Sequence, residues 1–272
     1  MTSDIPVLIS INELNQQLSS DPPRLLDVRW TLASPDGSAA YRAGHIPGAV
    51  YVDLDAELSD HAITGRGRHP LPSAAALQDS ARRWGLNPGD PVVVYDDWNA
   101  QAAARAWWLL RAAGLHDVRI LDGGWPTWQS AGLPIESGDV VPQPGSVVIT
   151  ALDAMPVVDA DEVAVQAGSA GHAVLDARAA ARYRGDEEPL DPRAGHIPGA
   201  VSAPTADNVA ADGRFRPSAD LRTRFAELGA GRVPVTVYCG SGITAAHEIA
   251  ALAIAGMPIS LPVVIGILML MG

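Results

Sequence analysis

The chain has 272 residues, of which 47% are hydrophobic and 18% charged, and a formal net charge of -12. That is enough apolar material for one large domain or two of ordinary size. An acidic surface repels phosphate backbones, so nucleic acid is not the expected partner, although a local cationic pocket can still hold a small anion.

In chain order, the opening Met1-Thr2-Ser3-Asp4-Ile5-Pro6 lacks the basic region and long apolar core of a signal peptide. The apolar run Leu25-Leu26-Asp27-Val28-Arg29 reads as a strand ending in D-x-R. Arg42-Ala43-Gly44-His45-Ile46-Pro47-Gly48-Ala49-Val50 comes next as a Gly/Pro-punctuated turn into a second apolar run. Arg82 to Leu86 and Ala102 to Ala113 carry helical patterns, with the strand Val92-Val93-Val94-Tyr95-Asp96 between them. After Gly114, Val118 to Leu121 reads as a strand, Asp122-Gly123-Gly124 as a turn and Trp125 as the start of a helix. Pro134 to Ser146, rich in Pro, Gly and Ser, is the expected linker.

Beyond the linker the pattern returns. Val174-Leu175-Asp176-Ala177-Arg178 repeats the first D-x-R, and Arg193-Ala194-Gly195-His196-Ile197-Pro198-Gly199-Ala200-Val201 repeats the turn without a change. Leu221 to Leu228 is helical, and Val235-Thr236-Val237-Tyr238-Cys239 repeats the third strand. Three motifs recurring in one order indicate a duplicated domain. Apolar strands separated by helices indicate a parallel sheet covered on both faces. The expected fold is therefore α/β, two tandem domains, each a parallel sheet flanked by helices. The expected boundaries are 1–133 for the first domain, 134–156 for the linker and 157–272 for the second.

Cys239 is the only cysteine, so no intramolecular disulfide can form, which suits a reducing compartment. The apolar tail Leu261 to Met271 is shorter than the roughly 20 residues a membrane helix needs. A cytoplasmic protein with no membrane partner is expected. Cys239 ends its strand and is followed by Gly240-Ser241-Gly242-Ile243-Thr244 and then a helix from Ala245 to Ala255. In parallel α/β sheets ligands gather beyond the carboxyl ends of the strands. Glycines permit a tight loop with converging N–H groups, and the helix start adds partial positive charge, so negative charge on sulfur is favoured. The bland alternative is a small buried hydrophobe at a strand end.

Three chemistries use such a thiolate. A cysteine phosphatase closes the loop with an arginine in C-x5-R, but that position is Ala245. A cysteine hydrolase needs a histidine base, and His247 lies a turn into the helix, where it is expected to point away. Persulfide transfer needs only the amides around Cys–S–S⁻, and is favoured. In the first copy Asp96 stands where the second has Cys239, and Asp97-Trp98-Asn99-Ala100-Gln101 lacks the paired glycines, so its amides are not expected to converge.

The loop C-G-S-G-I-T-A, the duplicated G-H-I-P-G-A and the D-x-R strand ends together resemble the two-domain rhodanese family, over residues 5 to 256. That family comprises thiosulfate and 3-mercaptopyruvate sulfurtransferases. The resemblance implies an inactive first domain and a catalytic second one. Arg182 matches a family arginine that binds the donor's anionic end. Arg178, with its counterpart Arg29 in the inactive copy, is expected to be a structural ion pair, and Arg184 a surface charge. Gly240 and Ser241 stand where thiosulfate-preferring members carry a basic pair and agree with the mercaptopyruvate branch; that branch's E-P-R arginine is replaced here by Leu190. Asp55 and His69 match positions that the mercaptopyruvate branch places near the interdomain cleft, and each is either an interface hydrogen-bonder or a catalytic participant. Trp30 is either a pocket wall or core. His45 and His196 occur in both copies and are expected to be structural.

No Cys/His/carboxylate cluster has metal-ligand spacing and no Gly-rich nucleotide fingerprint stands out, so neither metal nor cofactor is expected. The family's G-S-W-x-E-W turn is missing after Gly256, where Val263 to Ile265 offers a short strand with little or no helix after it. The resulting expectation is a sulfurtransferase that takes sulfur from a small anionic donor onto Cys239 and passes it to a thiophilic acceptor such as cyanide or a thiol. The alternative is a non-catalytic sulfur carrier or binding module.

Overall fold

The computed structural model describes residues 5–257 and 263–264. The chain forms two compact units: one runs to Ser59 and includes Pro72–Ala154 and Ala211–Arg214, the other comprises Asp60–Leu71, Met155–Ala210 and the chain from Phe215 on.

The first unit contains β1 (Leu8–Ile9), α1 (Ile11–Leu18), β2 (Arg24–Asp27), α2 (Ser38–Ala43), β3 (Val50–Tyr51), α3 (Leu54–Glu57), α4 (Ala74–Arg83), β4 (Val92–Tyr95), α5 (Gln101–Ala112), β5 (Val118–Leu121) and α6 (Gly124–Ser130). Its five-stranded sheet has the order β1-β5-β4-β2-β3 with every pairing parallel. All four residues of β4 are buried, as a central strand covered on both faces requires. One side of the core gathers Leu14, Leu25, Val93, Leu121 and Trp128.

The second unit contains α7 (Ala160–Ala167), β6 (Ala173–Asp176), α8 (Ala180–Arg184), β7 (Val201–Ser202), a 3-10 turn over Thr205–Asn208, α9 (Ser218–Glu227), β8 (Val235–Tyr238), α10 (Ile243–Ile254) and β9 (Val263–Val264). Its strands are also parallel, in the order β7-β6-β8-β9. Val163, Val174, Ile197, Ala200 and Tyr238 pack together on one side of it. The strand expected near Val263 pairs in parallel with β8, matching Val237 to Val263. The helix expected to be short or missing beyond it lies outside the described residues.

The duplication is physical as well as textual. Each unit's first helix opens with the same capping box, Ser10 with Glu13 in α1 and Asp159 with Glu162 in α7. Arg29 grips Asp27 through Nε and Nη2 at 2.9 and 2.6 Å, while Nη1 donates to the Ala40 carbonyl and Nη2 also to that of Gly44. Arg178 grips Asp176 at 3.0 and 2.7 Å and donates to the Gly195 carbonyl. Both repeated histidines lie flat on a tyrosine, His45 on Tyr41 at 4.1 Å and His196 on Tyr183 at 3.8 Å, each with Nδ1 at that tyrosine's carbonyl. The D-x-R arginines thus pin the strand end to the G-H-I-P-G turn, and the histidines hold the turn's other side.

Two expectations shift. The helical pattern at Arg82 to Leu86 is the end of α4, which starts at Ala74 and stops where Gly85 takes a φ of +80°. The stretch from Pro134 to Ala154 belongs to the first unit, where Gly145 and Val147 donate to the carbonyls of Arg82 and Leu86. Among the described residues no helix is long and apolar enough to cross a membrane.

Candidate active site

β8 delivers Cys239 to the carboxyl edge of the second sheet. The Tyr238 hydroxyl fixes the strand end, donating to Asp176 Oδ2 at 2.7 Å and accepting from the Ile197 amide at 3.2 Å. Cys239 is 1% exposed. The chain then turns through Gly240 and Ser241 to Gly242, which caps α10 with a φ of +80°, a left-handed conformation that glycine adopts without strain. The turn aims the Gly242 amide at Cys239 Sγ, 2.9 Å away, and the Ala245 amide at 3.4 Å. The Ser241 hydroxyl lies 4.0 Å from the sulfur and accepts from the Ile243 amide. Ile243 and Thr244 form the first turn of α10. N–H groups and a helix start thus converge on one sulfur, an arrangement that favours negative charge there.

A cluster of charges lies beside the loop. Arg182, on α8, places Nη2 2.7 Å from Glu188 Oε1 and 2.6 Å from Asp191 Oδ2. Arg178 reaches Glu188 at 3.3 Å besides its Asp176 pair. Burial opposes charge on both Arg178 and Glu188, but their partners win: Asp176 holds Arg178 above the ordinary guanidinium pKa, and the bonds from Arg182 hold Glu188 below the ordinary carboxylate pKa. Asp191 also pairs with Arg68, whose backbone amide donates to the Gly240 carbonyl at 3.2 Å. Arg68 and Asp191 were not singled out by sequence reasoning, because nothing local links a residue of Asp60–Leu71 to a loop far along the chain.

The remaining candidates fall in both units. His69 is buried in the segment Asp60–Leu71 of the second unit. In the first unit Trp30 is buried, donates Nε1 to Asp55 Oδ2 at 3.1 Å and leans on Trp98 at 5.8 Å. His247 is buried and stacks on Phe215 at 4.8 Å. Arg184 pairs with Asp186 at the surface.

The first copy corrects one expectation. Its loop amides do converge: Trp98 and Ala100 each donate to Asp96 Oδ1 at 2.9 Å, and Ala103 donates to Oδ2 at 2.9 Å. Ala100 caps α5 as Gly242 caps α10, and Ala103 sits three residues on, as Ala245 does. Asn99 and Ala100 take φ of 52° and 62°, so the turn that glycine makes in the second copy is made here by residues that bear strain. Burial still dominates the carboxyl, and its pKa is pushed up to about 6 despite the three amides.

This duplicated parallel sheet, with one thiol cradled by amides at a strand end, has known relatives. A model of the rhodanese-like domain matches residues 10–131 and 159–265, and the chain belongs to the rhodanese family. It is 52% identical over 254 residues to a Mycobacterium tuberculosis protein named "Putative thiosulfate sulfurtransferase SseB", covering 92% of this chain and 89% of that one. It is 45% identical over 258 residues to a Pseudomonas aeruginosa protein named "Probable 3-mercaptopyruvate sulfurtransferase", covering 93% and 90%. The crystal structure of Escherichia coli SseA, described as a 3-mercaptopyruvate sulfotransferase, superposes with a TM-score of 0.85 at 32% identity, covering 96% of this chain and 98% of that one. The chain is a sulfurtransferase of the rhodanese type.

Proposed function

We propose that Cys239 carries the transferred sulfur, that the second unit is catalytic and the first inactive, and that 3-mercaptopyruvate is preferred to thiosulfate as donor. The observation behind the first claim is the pair of amides on Cys239 Sγ. The Cys239 thiolate attacks the donor sulfur and the C–S bond breaks. Its electron pair leaves as the pyruvate enolate, which takes up the proton of the transferred sulfur to give pyruvate, and the enzyme holds the persulfide anion Cys–S–S⁻. With thiosulfate the S–S bond breaks instead, and sulfite leaves. Cyanide, or another thiophile, then attacks the outer sulfur; the S–S bond breaks, its electron pair returns to Cys239 Sγ as the thiolate, and with cyanide thiocyanate departs, in a ping-pong cycle. The two amides on the sulfur support a persulfide anion held without a general base.

The donor preference is supported by the loop. Gly240 and Ser241 offer a bare Cα and a hydroxyl where two cations would favour a dianion. Both the 52% and the 45% relatives bear on this choice and their names differ, so kinetics decide it. Arg182 is the proposed ligand for the donor's anionic end. A compartment that keeps the thiol reduced suits this chemistry.

Cys239→Ser is expected to abolish turnover with both donors while leaving the circular dichroism spectrum unchanged, since the volume change is small and a hydroxyl forms no persulfide. Mass spectrometry of donor-treated protein is expected to find one added sulfur on Cys239. Turnover by the serine variant would sink this reading, and a kcat/KM for thiosulfate above that for 3-mercaptopyruvate would sink the donor preference.

A further inference from the structure

The Arg68–Asp191–Arg182 bridge sits against the loop that carries the thiol. A single carboxylate, that of Asp191, is held from two sides: Arg68 Nη1 pairs with Oδ1, and Arg182 Nη2 lies 2.6 Å from Oδ2. A Cβ built on Gly240, the residue after Cys239, would stand 2.5 Å from Arg68 Nη1 and 2.7 Å from Asp191 Oδ2. The bridge therefore lies directly on the bare Cα that the sequence keeps there. Arg68 Nε is buried and makes no hydrogen bond among the described residues, so this guanidinium has a donor in hand.

We propose that Arg68 is a donor-binding residue, that it and Arg182 together form a two-guanidinium receptor for the donor's carboxylate, and that Asp191 is an internal stand-in which the donor displaces. This inference rests on the reading of Cys239 as the sulfur acceptor. Paired guanidinium forks are the geometry that recognises a carboxylate most strongly. The position where a second arginine would follow Glu188-Pro189 holds Leu190, and the next residue is an acid, so the segment contributes a competing anion in place of a cation. Arg68 supplies the missing cation from a different stretch of chain, and Gly240 leaves it room. Asp191 is suited to leave: it lies in the irregular stretch between α8 and β7, between Leu190 and Pro192, on no helix or strand. While it occupies the fork, the charges of Arg68, Arg178 and Arg182 are balanced by those of Asp176, Glu188 and Asp191, so the protein folds without an unpaired buried cation. A donor carboxylate preserves that balance within the fork, and the released Asp191 moves toward water.

The test is steady-state kinetics with 3-mercaptopyruvate and cyanide for the wild type, Arg68→Ala, Arg68→Lys and Asp191→Asn, with folding followed by circular dichroism. Arg68→Ala is expected to raise the donor KM at least tenfold while the cyanide KM moves less than twofold, a split that a loss of packing alone would not produce. Arg68→Lys keeps the charge and the stem but loses the fork, and is expected to raise the donor KM by an intermediate factor; it carries the test if the alanine variant misfolds. Asp191→Asn removes the competing charge and is expected to lower the donor KM at least threefold. A donor KM within twofold of wild type in both Arg68 variants overturns the receptor, and an unchanged or raised KM in Asp191→Asn overturns the stand-in. Turnover surviving in Cys239→Ser would instead overturn the reading beneath, which the Arg68 variants do not touch.

Discussion

Asp96 and Cys239 occupy one backbone position in two copies, and their cradles differ in what they hold rather than in how they are built. Three amides on a carboxylate lower its pKa, yet with Asp96 1% exposed the loss of hydration outweighs them and the group titrates near 6. An aspartate in an unfolded chain titrates near 3.9. Between those values the native state binds more protons than the unfolded state, so the stability contributed by Asp96 is fully present below pH ~4 and is lost as pH rises through 6. A shift of about two units corresponds to something on the order of 3 kcal/mol by neutral pH. Asp96→Asn removes this titration. Its amide nitrogen also faces one of the three N–H groups, which adds a cost that does not vary with pH. The variant should therefore be less stable than wild type at pH 4.5 and recover relative to it by pH 7.5, as measured by urea unfolding at both. A stability difference that stays flat across that range contradicts the assignment.

At the scale of elements, the turn from β5 into α6 shows how tightly one strand end is bolted to the next. The Trp125 amide donates to the Asp96 carbonyl at 2.8 Å, and a Cβ on Gly124 would collide with that same oxygen. Gly124 also takes a φ of +55°. Left-handed backbone costs a non-glycine residue roughly 1–2 kcal/mol, and a backbone oxygen cannot swing aside as a flexible side chain can. Gly124→Ala is expected to cost at least about 2 kcal/mol, a fall in melting temperature of more than about 4 °C; a fall under 1 °C would mean that the β5–α6 turn is free to move. Elements of this kind were legible in the sequence. The parallel strands followed from continuous apolar runs, the duplication from repeated D-x-R and G-H-I-P-G motifs, and the thiol cradle from paired glycines after a strand. Asn99 and Ala100 were not legible as cradle residues, because a left-handed turn built without glycine has no local signal. Arg68 and Asp191 were not legible either. Their meeting at Gly240 depends on tertiary placement, and a charged residue in a Gly-rich loop reads as solvated until its partner is known.

For the molecule as a whole, duplication poses the question of what keeps one copy from doing what the other is proposed to do. Missing amides cannot be the reason, since the first copy points three of them at residue 96. Cations are the better answer. In the second unit Arg182 immediately precedes Tyr183, the tyrosine stacked on His196; in the first, the residue before the equivalent Tyr41 is Ala40. Where Gly240 leaves space for the Arg68–Asp191–Arg182 bridge, the first copy has Asp97, an acid that would repel an anionic donor. Asp96→Cys in a Cys239→Ser background is accordingly expected to place a thiol in a ready cradle and still give less than 1% of wild-type turnover with 3-mercaptopyruvate. Iodoacetamide, which is neutral, supplies the control: labelling of the new thiol together with no sulfur gained from the donor would locate the defect in anion capture. Turnover within tenfold of wild type would refute the cation argument and return the distinction between the copies to the single exchange of carboxylate for sulfur.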